Sequence, residues 1–189
     1  MPLSKPVSRE KLHTRHIECC GYERKDGLFD IEGHLVDTKT YAYESSWRGR
    51  MEPGMPVHEM WIRLTIDSKL LVHEVEAVTD FGPFQICPDI TPNFKRLEGL
   101  RIGPAWNRRA RELVGGVEGC THIFEMLSQV ATTGYQTLVR KRSQQHEKRE
   151  AEGKAGPRRA PPMLLNTCHA WSTNGELVKK IFPGQYKVD

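Results

Sequence analysis

The chain has 189 residues, enough for one domain with a sizeable core plus some tail, and its hydrophobic fraction of 38% lies below the globular average, so part of it is expected to stay unpacked. Lys and Arg total 28 against 24 Asp and Glu, and the resulting +4 is too mild to argue for a nucleic-acid partner. No apolar run approaches about 18 residues, which excludes a membrane-spanning helix and a membrane partner of that kind, and residues 1–10 contain no apolar stretch of the sort a secretory signal carries. The five cysteines are an odd number without framework spacing, and Cys19 and Cys20 are adjacent. This pattern suits free thiols, ligands or core filler in a reducing cytoplasm.

Residues 1–10 read as a flexible arm, and residues 11–140 as a single α+β domain. His13 to Arg24 is expected to form a first strand, closed by the turn signal Lys25-Asp26-Gly27. From Leu28 to Val36, Phe29, Ile31, Gly33 and Leu35 share one face, and Asp30, Glu32 and His34 the other. That period of two marks a half-buried strand. Residues 40–56, rich in Tyr, Ser, Arg, Gly and Pro, read as a long loop. His58, Met60, Ile62, Leu64 and Ile66 then line one face of another strand. Asp67-Ser68-Lys69 turns the chain, and Leu70 to Thr79 returns it. Two hairpins in succession predict an antiparallel sheet.

The spacing becomes helical in the second half. Thr91-Pro92 places an N-cap before a proline at the first helical position, with Phe94 and Leu97 starting a short apolar stripe. Gly103-Pro104 opens a helix carrying Trp106, Ala110, Leu113 and Val114, and Arg108, Arg109 and Arg111 read as its polar face. The longest helix shows Ile123, Met126, Leu127, Val130, Gly134 and Leu138 at helical intervals, with Thr121 as its best N-cap. From Arg140 to Pro162 the chain holds eight Lys or Arg and three Glu, more than the whole net charge. It reads as a solvated helix decaying into a basic disordered linker over 141–162. Glu residues interspersed there and the absence of interleaved aromatics argue against nucleic-acid binding. Residues 163–189 are expected to pack back on the domain as a strand or hairpin. The predicted class is therefore α+β: an antiparallel sheet with helices on one face, an N-terminal hairpin and a C-terminal strand.

Gly119-Cys120-Thr121-His122 sets a thiol and an imidazole two residues apart at the start of the longest helix. A helix N-terminus favours thiolate over thiol. Cys168 and His169 form a second thiol–imidazole neighbour pair. On a strand they would point to opposite faces. His58, followed by Glu59, sits at the start of a strand on the apolar face, either as a rim residue over the core or as a ligand aimed at the helix end. Cys87, on the link from sheet to helices, carries little signal by itself. His58, Cys120 and His122 with Cys168 or His169 suffice for a tetrahedral zinc or iron centre. None of them falls in a CxxC or HExxH spacing. The same residues fit a metal-free enzyme with Cys120 as nucleophile on a small acyl or electrophilic substrate, a histidine as base and Glu59 as the orienting carboxylate. A protein-interaction module with buried structural thiols is a third reading.

The stretches from Asp26 to Lys39, Gly119 to His122 and Thr167-Cys168-His169-Ala170 resemble a bacterial family, the domain of unknown function DUF2889, over nearly the whole chain. More distantly, residues 53 to 138 are similar to the U-type iron–sulfur cluster scaffold and its sulfur-acceptor relatives, in which three cysteines and an acidic residue hold a cluster or zinc. That resemblance places the scaffold's first cysteine on His58, with Glu59 near the acidic position. Its second cysteine falls on Pro83 in Phe81-Gly82-Pro83, and its third on Cys120. One cysteine of the three is retained, so the resemblance implies a site reshaped with histidines His58 and His122.

Overall fold

In the computed structural model, which describes residues 3–154, 160 and 164–187, the chain is α+β and divides into two compact units, one running to Thr137 and the other from Leu138. The first unit is built on a four-stranded antiparallel sheet of β1 (His13–Glu23), β2 (Phe29–Lys39), β5 (Pro56–Ile66) and β6 (Val72–Phe81), in that spatial order. The alternation along β2 is as strict as the sequence predicts. Phe29, Ile31, Gly33, Leu35 and Asp37 are buried, and the residues between them are half-exposed. The buried stripe runs one step past Leu35 and ends on a carboxylate.

The segment 40–56, expected as an irregular loop, contains a small separate hairpin of β3 (Tyr43–Ser45) and β4 (Gly49–Met51). Strands of three residues are too short to show a period of two, which is why the sequence hides them. After β6 the chain runs through a 3-10 stretch, Cys87–Leu97, where the regular helix expected from Thr91 is replaced by a tighter one containing Pro92. The stretch begins at Cys87, four residues before the expected N-cap, so Pro92 falls inside it rather than at its first position and interrupts the run of backbone donors there. Helix α1 (Trp106–Val114) follows, then α2 (Thr121–Thr137).

Helix α2 lies on the buried face of the sheet against β1, β2 and β5. Ile123, Met126, Leu127 and Val130 are each within 1% of full burial, opposite Ile31, Leu35, Met60, Ile62 and Leu64. Each such side chain contributes roughly 1.5–3 kcal/mol of burial. Gly33 makes the close approach possible, because a Cβ there would sit 2.7 Å from Val130 Cγ2. The first helical hydrogen bond runs from the Phe124 amide to the Cys120 carbonyl, at 2.9 Å. Cys120 therefore occupies the N-cap position expected for Thr121, and Thr121 is the first helical residue.

The second unit contains α3 (Val139–Ala151), the solvated helix, and a small cluster around Ala160, Val178 and Phe182, against which Leu165, Trp171 and Tyr186 pack. The C-terminal strand is not formed among the described residues. Residues 164–187 make a 3-10 turn at His169–Trp171, α4 (Glu176–Ile181) and a second 3-10 turn at Pro183–Gln185. On a strand Lys180 would share the face of Val178 and Phe182, whereas the helical turn keeps those two together in the cluster and carries Lys180 out to solvent. Of the linker predicted over 141–162, residues 155–159 and 161–162 lie outside the described residues.

Candidate metal centre

Register builds the site. On the helix-facing side of the sheet, Arg15 of β1, Asp37 of β2 and His58 of β5 stand side by side as direct cross-strand partners. Arg15 grips Asp37 with two parallel bonds, Nε to Oδ1 at 2.8 Å and Nη2 to Oδ2 at 2.7 Å. His58 Nδ1 lies 2.9 Å from Oδ2, and His13 Nε2 lies 3.3 Å from Oδ1. The first turn of α2 is set above this row. His122 stacks over His58, ring centroids 3.8 Å apart at a 31° tilt, and Glu125 accepts a 2.7 Å bond from the remaining Arg15 nitrogen, Nη1. One ligand atom from each of Asp37, His58 and His122 fits within 4.8 Å of the others, the one such group of histidine, cysteine and acidic side chains among the described residues.

The electrostatics of the group are asymmetric. Burial raises the pKa of the Asp37 carboxyl, which is 1% exposed. The Arg15 hydrogen bond and charge, helped by His58, outweigh that and bring it down to about 2. Burial pushes His58 below the ordinary histidine value, and the Arg15 and His13 charges add to this against the opposing pull of Asp37. Burial likewise lowers His122, reinforced by His58 and Arg15. At neutral pH the site thus holds an ionised carboxylate and two neutral imidazoles, the protonation states that ligate metals.

Cys120 stands beside this group. Its Sγ is 3.9 Å from His122 Nδ1 and 3.7 Å from Met60 Sδ. Glu59, expected to serve as the orienting carboxylate, points to the opposite face of the sheet. It lies 3.0 Å from His34 Nε2, and His34 stacks on Trp61 there. Neighbouring residues of a strand alternate sides, so Glu59 cannot share a face with His58. Asp37 holds that place instead. The buried stripe of β2, extended by one residue beyond Val36, is the sequence signal that would have found it. Cys87 is half-buried at the far end of the β6 link, close to Gly82. Cys168 is exposed, and it and His169 belong to the second unit. The grouping of Asp37, His58 and His122 forms without them.

No helix among the described residues is long and apolar enough to cross a membrane. No curated protein and no solved structure matches the chain. The resemblance to the U-type scaffold therefore has no structural match behind it. A family profile does match, over residues 13–136, from the first residue of β1 into the last turn of α2, and so takes in Arg15, Asp37, His58, Cys120 and His122. The chain belongs to the DUF2889 family, described as proteins of unknown function.

Proposed function

We propose that this domain is a transition-metal-binding protein whose centre is organised by His58 and His122, acting as an accessory factor or a catalyst. The observation that carries the reading is the convergence of two neutral imidazoles and an ionised carboxylate within 4.8 Å, each from a different element of the fold. Zinc and iron are the ions the donor types call for. Such an ion would polarise a substrate oxygen or lower the pKa of a bound water. The protein's own part is to hold the imidazoles neutral and oriented, with Arg15 keeping Asp37 ionised beneath them.

Titration of the metal-free chain with zinc(II) in a calorimeter tests this. The expected result is one site per chain, weakened by more than about 100-fold in His58→Ala and in His122→Ala, beyond what outer-shell changes usually cost. Equal binding by both variants and the parent would remove these residues from the centre.

A second reading rests on the 3.9 Å approach of Cys120 Sγ to His122 Nδ1: Cys120 as a nucleophile with His122 as its base and no metal. Iodoacetamide labelling separates the two. Under the nucleophile reading Cys120 reacts faster than an unfolded thiol and slows in His122→Ala.

A further inference from the structure

The hydrogen bonds at Asp37 constrain which atoms are free to meet an ion. A carboxylate offers about four lone-pair positions. At Asp37, Oδ1 faces Arg15 Nε and His13 Nε2, and Oδ2 faces Arg15 Nη2 and His58 Nδ1. Both Asp37 oxygens accept from the Arg15 fork, so the carboxylate is placed as the acceptor of the Asp37–His58 bond and His58 Nδ1 as its donor. That leaves Nε2 as the ring nitrogen of His58 open to an ion. A carboxylate that fixes one imidazole nitrogen while the other faces an ion is the usual arrangement behind a metal-bound histidine.

The donors left over are sulfurs. Met60 follows His58 by two residues on the same strand face and is 1% exposed. Cys120 Sγ bridges Met60 Sδ at 3.7 Å and His122 Nδ1 at 3.9 Å. An ion bound tetrahedrally at ordinary thiolate and imidazole bond lengths holds sulfur and nitrogen about 3.5 Å apart. Closing the Cys120–His122 distance to that value asks only for a small side-chain rotation.

We propose that the centre is a mixed nitrogen–sulfur site for a thiophilic ion, copper(I), with His58 Nε2, His122 Nδ1 and Cys120 Sγ as ligands and Met60 Sδ as a weaker fourth donor. Asp37 is then a positioning residue outside the ligand shell. Thioether sulfur is a donor that soft copper accepts and that zinc and iron(II) use poorly, and two imidazoles, a thiolate and a thioether form a copper-type set. The inference rests on the reading that His58 and His122 bind a metal, and it names the softer ion that the two sulfurs beside them favour.

The test uses the full chain, freed of metal and kept reduced without oxygen. Copper(I) affinity is measured against a chromophoric copper(I) chelator, zinc(II) affinity by competition, and cobalt(II) supplies a spectrum. Cys120→Ser is expected to abolish the cobalt–thiolate charge-transfer band and the copper(I) site. Met60→Leu, close to volume-conserving and so tolerated by the fold, is expected to weaken copper(I) while leaving zinc(II) unchanged. Asp37→Asn is expected to weaken either ion by about 10–100-fold and keep the thiolate band. If Cys120→Ser binds all ions like the parent while the histidine variants lose them, the sulfur ligands are refuted and the histidine centre survives. If Met60→Leu weakens zinc(II) and copper(I) equally, Met60 is packing and the copper assignment falls. A parent chain that binds none of the three ions overturns both this inference and the reading beneath it.

Discussion

Asp37 carries its charge where burial works against it, and Arg15 is the reason it can. The folded pKa of about 2 lies below the ordinary aspartate value of 3.8. Such a depressed carboxylate adds stability that is complete above the unfolded pKa and disappears as pH falls toward the folded one. The shift corresponds to about 2 kcal/mol, lost between roughly pH 4 and pH 2. His58 and His122 act in the same direction at higher pH. Their lowered pKa values mean that the unfolded chain takes up protons first, so stability begins to fall once pH drops below about 6.5. The urea midpoint is therefore expected to decline in two stages on acidification, the upper absent in a His58→Gln, His122→Gln double variant and the lower absent in Asp37→Asn. A flat midpoint from pH 7 to pH 3 would contradict these assignments. At neutral pH, Asp37→Asn is expected to cost about 2–3 kcal/mol by leaving the half-buried Arg15 fork without its anion, read from denaturant unfolding.

At the scale of elements, the site depends on how closely α2 approaches the sheet. Gly33 sits at the middle of β2 beneath Val130, and the 2.7 Å left for a Cβ is too short for any real contact. Valine is stiff about χ1, so the helix rather than the side chain must yield. Gly33→Ala is expected to destabilise by about 1–3 kcal/mol and to loosen the His58–His122 stack, seen as a weaker metal affinity alongside the lower midpoint. Unchanged affinity in a destabilised variant would mean that α2 holds His122 independently of its seating. The elements differ in how legible they are. Long amphipathic stretches, β2, β5 and α2, show their periods in the sequence because one face of each is buried along its full length. The β3–β4 hairpin and the C-terminal segment are too short for that, and the latter folds by packing Val178 and Phe182 into a cluster of its own. His58 and His122 are visible as imidazoles on or beside apolar faces. Arg15 is not, and Asp37 shows only as the last step of the β2 stripe; cross-strand register brings both under His58, and register is a property of the sheet rather than of any one segment.

At the scale of the whole molecule, the family match ends at residue 136, one residue short of the boundary between the two units at Thr137. Every residue placed in the centre lies before that boundary. A fragment of residues 1–137 is expected to keep the sheet's circular dichroism and the metal stoichiometry of the full chain. Loss of binding on truncation would bring the second unit, with Cys168 and His169, into the site. Whether His58 and His122 hold an ion is read most directly from the protein's metal content. Purified under reducing conditions without chelators, the full chain is predicted to carry between about a tenth and one full equivalent of a transition metal, and the His58→Ala, His122→Ala double variant none. Less than about a tenth of an equivalent of any transition metal in the parent, persisting after reconstitution with zinc(II) and copper(I), would contradict it.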